Sequence, residues 1–315
     1  MSPDAPYLHW LDGLTFRPVF VVGMHRSGTT LLYRMLAKSG AFNITSLFHI
    51  VNRDRLLRLH VHPEEAETKR RELATYLDVA RIQTRDYDSM PVGCDESEEY
   101  AFALDHQGRW PLLNERNSSG FLTFARKLQF IQDSSKPLLL KSPYDVVNFR
   151  YLSELFPNAC FIFIHRNPVE VINSQYRMYR NVFDKQNAYE ALVSKGLRDL
   201  YNSPLKLALT RLAFSDGLEV LYFLVCRRAI QACRYLMSNF DRLSCTTLTL
   251  TYPELCENPG AAVHRALLCA GVSAQTVPVY ESMIYIRQPV FHRLVLKHMR
   301  WIEKLTDPYR RRFGV

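Results

Sequence analysis

The sequence predicts an α/β fold, a three-layer sandwich in which helices cover both faces of a central parallel sheet. Three observations carry this. Short β-branched or apolar runs recur along the chain, and segments with helical apolar spacing separate them, the order that builds βαβ units. The composition also supports a sizeable core: of 315 residues, 47% are hydrophobic and 23% charged, which argues against disorder.

In chain order, residues 18–22 read as a buried strand and 29–38 as the helix after it. A helical pattern follows at 64–82, then a strand at 138–140 and a helix at 145–156. The run 160–165 is the next strand, followed by helices at 168–179 and 218–237. Alternating Thr and Leu mark a fourth strand at 246–251, before a helix at 260–270. Proline and glycine are spread evenly, so no linker announces a second domain.

Several classes are disfavoured. Met1-Ser-Pro-Asp-Ala-Pro-Tyr-Leu8 has neither the basic nor the apolar region of a secretory signal. The most apolar helical stretch, 217–226, contains Glu219 and stops at Arg227 and Arg228, well short of the ~20 residues that span a bilayer. Seven scattered cysteines form no CxxC pair, so free buried thiols in a reducing, cytoplasmic setting are expected rather than disulfides or zinc. The net charge is +9, but residues 287–315 hold eight Lys/Arg and two acids and supply +6 of it. A basic tail suits an anionic ligand or peripheral contact with a membrane surface. No helix-turn-helix, RNA-binding or zinc-finger motif accompanies it, so a nucleic-acid partner is not expected.

The chemistry begins at Gly23-Met-His-Arg-Ser-Gly-Thr-Thr30, between the first strand and its helix. Glycines let successive N–H groups curl into one concavity, the helix N-terminus adds partial positive charge, and Ser27, Thr29 and Thr30 add hydroxyls. This is a phosphate site, and it predicts a P-loop NTPase-like sandwich. A Walker A loop would place lysine after the second glycine. Here that position is Thr29, and the cation, Arg26, sits inside the loop. A small-molecule kinase is therefore the runner-up, and a catalytically silent nucleotide-binding protein of the same fold is a third reading.

A second constellation follows the strand at 160–165. Asn167 suits an N-cap, Pro168 the first helical position and Glu170 a capping box. Ser174 lies two turns beyond the cap on the same face, so Arg166 and Ser174 can converge on one anion.

The loop Gly23 to Thr30 resembles the 5′-phosphosulfate loop of PAPS-dependent sulfotransferases, in particular the bacterial-type branch with arginine in place of the loop lysine. Arg166 followed by Ser174 resembles that family's 3′-phosphate site. Thr251-Tyr-Pro-Glu-Leu-Cys-Glu-Asn-Pro259 resembles a further segment, with Pro253 shifting the pattern, where Tyr252 either packs on adenine or ends a strand as a core residue. The resemblance covers roughly 18–30, 138–180, 246–272 and 291–315. It implies one domain over 1–315: a nucleotide-binding core from 15–50 and 138–272, a mainly helical acceptor-pocket region at 51–137, and a basic helical segment at 273–315. The implied donor is PAPS, with no metal. The implied acceptor is a hydroxyl (less readily an amine) on a small molecule, lipid or sugar, and a homodimer is compatible.

Sulfuryl transfer needs a cation near the leaving oxygen and a base near the acceptor. Arg26, which stands in the loop, suits the first task. For the base, Asp95-Glu-Ser-Glu-Glu99 resembles the family's acidic acceptor segment, and Glu98 is favoured within it. Equally, Asp95 and Glu98 can form a helix capping box. His49 and Asp145 are the other candidates, with Asp145 also able to cap the next helix. Lys141 either reaches substrate or ends its strand beside a carboxylate.

Overall fold

Strands that are apolar at every position need cover on both faces, and the computed structural model provides it. It describes residues 2–85, 90–104, 111–186, 188–274, 278–284 and 290–315. Among these are β1 (Pro18–Val22), β2 (Asn43–Ile44), β3 (Leu138–Lys141), β4 (Cys160–His165) and β5 (Thr246–Thr251). They form one parallel sheet in the order β2-β3-β1-β4-β5. Every residue of β1, β3 and β4 is buried. The unexpected strand, β2, is two residues long and held by Asn43 opposite Leu138 and Ile44 opposite Leu139. No apolar run announces so short a strand.

The helices are α1 (Thr29–Lys38), α2 (Leu47–Val51), α3 (Leu56–Val61), α4 (Pro63–Val79), α5 (Glu115–Ile131), α6 (Phe149–Leu155) and α7 (Pro168–Lys185). They continue with α8 (Ala188–Val193), α9 (Lys195–Tyr201), α10 (Pro204–Ala213), α11 (Val220–Asn239), α12 (Tyr252–Glu257), α13 (Pro259–Cys269) and α14 (Arg293–Phe313). The two-residue period of the strands sorts the core into two layers. Phe20, Val22, Leu138, Leu140, Phe161 and Phe163 pack on one face with α5, α6, α7, α11 and α14. Val19, Val21, Leu139, Ile162 and Ile164 pack on the other with α1 and α13. The expected sandwich is therefore present.

Several expected boundaries move. The helix expected at 145–156 is a short 3-10 turn, Asp145–Val147, followed by α6. The chain leaves α4 at Val79 and reverses at Arg81, whose φ is 54°. Glu219, at φ 52°, holds back the start of α11 to Val220. No helix starts at Asp95, whose segment instead pairs with the chain after β2 through Ser46 and Ser97. All seven cysteines are free thiols. Arg287, in the basic tail, lies outside the described residues.

Candidate active site

The loop from Gly23 to Thr30 runs from the C-terminal end of β1 into α1, at the centre of the sheet, where parallel α/β proteins place their ligands. Its two glycines are required sterically. A Cβ on Gly23 would stand 2.6 Å from both the Ile164 carbonyl oxygen and Ser27 Oγ. Gly28 has φ 103°, and a Cβ there would stand 2.5 Å from the Tyr252 ring. Within this turn the Ser27 N–H donates to the Met24 carbonyl at 2.9 Å. The Ser27 hydroxyl is fully buried and has no hydrogen-bond partner. Burying a hydroxyl unsatisfied costs about 1–3 kcal/mol, so an orphan in an anion loop fits a ligand oxygen.

Residues far apart in sequence meet around this loop. Arg26 Nε donates to Ser174 Oγ at 3.1 Å, joining the loop to α7. Arg166, just past β4, donates to the Arg26 carbonyl at 3.4 Å and lies over the Tyr252 ring at 4.1 Å. Gln175 Nε2 donates to the His25 carbonyl at 2.6 Å. Asn167 caps α7 by accepting from the Val169 N–H at 3.0 Å. Glu170 does not close the expected capping box; it pairs with Arg166 at 2.9 Å. Ser174 and Arg166 thus meet at Arg26, and Arg166 lies over Tyr252, which stands against Gly28. Tyr252 begins α12 half-buried, under Arg166, beside Gly28 and packed against the core layer of α1 and α13.

The acidic segment lies on the other side of the loop. Lys141, buried at the end of β3, donates to Thr30 Oγ1 at 3.1 Å and forms an ion pair with Glu99. Lys141 is therefore shared between the loop and a carboxylate. Glu98, one residue earlier, accepts from the Tyr189 hydroxyl and from the Glu99 N–H at 3.0 Å, with Arg85 at 3.9 Å. Burial pushes the Glu98 carboxyl above its usual range. Sequence reasoning favoured Glu98 among these acids, whereas it is Glu99 that pairs with Lys141. The segment names four acids but has no period to say which one faces β3.

The other two base candidates are placed differently. The Tyr100 hydroxyl donates to Asp145 Oδ1 at 2.7 Å, while Oδ2 is buried without a partner. Burial pushes the Asp145 carboxyl up to about 8. Asp145 does not cap α6, since Asn148 occupies that position. His49 belongs to the start of α2, where its Nδ1 accepts from the Ser46 N–H at 3.2 Å in a capping box. Burial, then Arg70, pushes it down to about 4. It lines a cavity of about 490 Å³ with Arg70 and Asp95, and no residue of the phosphate loop lines that cavity. Asp95 is ion-paired with Arg70 and caps no helix. His25, inside the loop, is held neutral by burial and by Arg26, Lys141 and Arg85.

A parallel sheet whose central strand ends in a glycine turn and a helix N-terminus, with arginines from two strand ends meeting at that turn, is an arrangement that suits an anion. The model of the Sulfotransferase family matches residues 18–275, and the chain belongs to that family. Its fold is the P-loop NTPase-like sandwich of sulfotransferases. It is similar to the crystal structure of sulfotransferase STF9 from Mycobacterium avium, at TM-score 0.62 and 16% identity, covering 99% of this chain and 80% of that one. It is also similar to sulfotransferase STF1 from Mycobacterium tuberculosis H37Rv, at TM-score 0.53 and 16% identity, covering 98% and 80%. No curated protein matches it in sequence. Among the described residues, no helix is long and apolar enough to cross a membrane.

Proposed function

We propose that the protein moves a sulfuryl group from PAPS to a hydroxyl (less readily an amine) of a small-molecule, lipid or carbohydrate acceptor, leaving PAP. The observation that carries this is the linked set of Ser174, Arg26, Arg166 and Tyr252 beside the glycine loop. A nucleotide with phosphates at both its 5′ and 3′ positions uses both anion sites, and a triphosphate does not. When bound, the donor supplies an activated sulfuryl group on a phosphate leaving group.

The chain's own residues divide the remaining work. The N–H groups of Gly28, Thr29 and Thr30 and the orphaned Ser27 hydroxyl hold the 5′-phosphate end. Arg26 stabilises negative charge on the leaving oxygen and, always protonated, does so without giving up its proton. Arg166 and Ser174 hold the 3′-phosphate. Tyr252, already stacked under Arg166, offers a ring face to adenine.

For the base, Glu99 takes precedence over Glu98, Asp145 and His49. Its support is the shared Lys141, which ties this carboxylate to the loop through Thr30. Glu99 takes the acceptor proton as the new S–O bond forms and the S–O bond to phosphate breaks. Lys141 keeps the carboxylate oriented beside the loop.

The test is thermal denaturation with PAP, PAPS and ATP, followed by a labelled-sulfate transfer screen against pooled hydroxylated metabolites. PAP and PAPS should raise the melting temperature and ATP should not. Equal stabilisation by ATP overturns the donor assignment.

A further inference from the structure

Helix α10 carries more apolar surface than the core takes from it. Leu207 is buried and satisfies the inner face. Leu205, Leu209 and Leu212 recur at helical spacing on the opposite side and remain 72%, 57% and 63% exposed. Leu218, in the connection from α10 to α11, and Phe223, near the start of α11, are also exposed. The Phe223 ring reaches Trp301 of α14, 6.3 Å between centroids, and Trp301 is also exposed. Single exposed leucines need no explanation, but three on one helix stripe, with an exposed Phe–Trp pair on later helices, point to an interaction site.

The charge around the stripe selects the partner. Residues 204–228 and 293–304 hold eight Lys/Arg against three acids, a surplus of five positive charges. Two of the acids are already engaged within the protein. Asp216 pairs with Arg180, His292 and Arg293, and Glu219 pairs with Lys297 and His298. Lys206, Arg227, Arg300 and Lys304, on the same three helices, are exposed. A second copy docked by two-fold symmetry would set this positive surplus against itself. Exposed Leu, Phe and Trp rimmed by Lys and Arg are instead the pattern of a helix lying at the interface of an anionic bilayer.

We propose that the face formed by α10, the start of α11 and the adjoining part of α14 docks the protein on an anionic lipid bilayer surface. Leu205, Leu209, Leu212, Phe223 and Trp301 enter the headgroup region, and the basic rim pairs with lipid phosphates. The face lies next to the helix that bears Ser174, because Asn173 of α7 accepts from the His292 N–H at 2.9 Å. Docking is independent of the donor assignment, and its test does not use turnover.

The experiment is co-sedimentation of the full chain with vesicles of phosphatidylcholine alone and of phosphatidylcholine with phosphatidylglycerol. Binding is expected to the anionic vesicles only, to weaken with salt, and to blue-shift tryptophan emission in the wild type but not in Trp301→Phe. Leu205→Ser, Leu209→Ser and Leu212→Ser together should lower partitioning on the order of 100-fold. Lys206→Glu, Arg227→Glu and Arg300→Glu together change only exposed side chains and should abolish the salt-sensitive part. Three results overturn the proposal: no binding to anionic vesicles at low salt, undiminished binding by both variants, or a dimer in sedimentation that the leucine variant dissolves while vesicles bind neither form.

Discussion

Replacing Asp145 by asparagine removes one buried ionisable group and keeps its shape, so its effect on stability should depend on pH in a calculable way. Asparagine Oδ1 can still accept from the Tyr100 hydroxyl, as Asp145 Oδ1 does at 2.7 Å. In the folded protein burial holds the Asp145 proton up to about pH 8, while an ordinary aspartate carboxyl releases it near 3.8. Between those values the native state binds the extra proton. The stability this contributes is fully present below pH 3.8 and is lost as pH rises through about 8. Four pH units at about 1.4 kcal/mol each set a ceiling on the order of 5 kcal/mol. The asparagine NH2 replaces the unpartnered Oδ2 at a pH-independent cost of about 1–3 kcal/mol. Urea unfolding of both proteins should therefore give a wild-type curve that falls from about pH 5 to about pH 8, relative to the variant. At alkaline pH the variant should be the more stable. Glu98, also raised by burial, is common to both and cancels in the difference. Parallel curves over this range would refute the reasoning. The same titration bears on catalysis: a group that holds its proton to about pH 8 is a poor base at neutrality. Turnover rising with a midpoint near 8 and vanishing in Asp145→Asn would move the base from Glu99 to Asp145.

The remaining predictions concern the loop and its partners. Gly28→Ala forces a Cβ into positive φ and against the Tyr252 ring, and should cost about 1–3 kcal/mol in unfolding and abolish the thermal response to PAP. An unchanged response would contradict the cradle. Arg166→Ala and Ser174→Ala should each weaken PAP binding on the order of 10-fold or more in titration calorimetry, with a smaller loss for a nucleotide lacking the 3′-phosphate. Equal losses for both nucleotides would count against that site. Glu99→Gln should lower turnover by about 10²–10⁴ with PAP affinity kept, and Glu98→Gln should do much less. The reverse pattern would return the base to Glu98.

What the sequence determined by itself was whatever is written locally. Apolar runs such as residues 160–164 specify buried strands because such side chains are driven from water on both faces. Gly23 and Gly28 specify the loop because their backbone positions have no room for a Cβ. The spacing of Arg166 and Ser174 follows from helix geometry, and in the structure Ser174 meets Arg26, which meets the next strand end. Tertiary structure alone decided the direction of the acids. Glu98 and Glu99 are adjacent and chemically equivalent as a string, and their segment is not a helix with a readable face. The Glu98 N–H donates to the Thr45 carbonyl at 2.8 Å, and Ser97 bridges Ser46. That pairing turns Glu98 towards Tyr189 and Glu99 towards Lys141. The same chain after β2 fixes His49 in a helix cap. Side-chain direction there is set by contacts between distant segments, and no local pattern encodes such contacts.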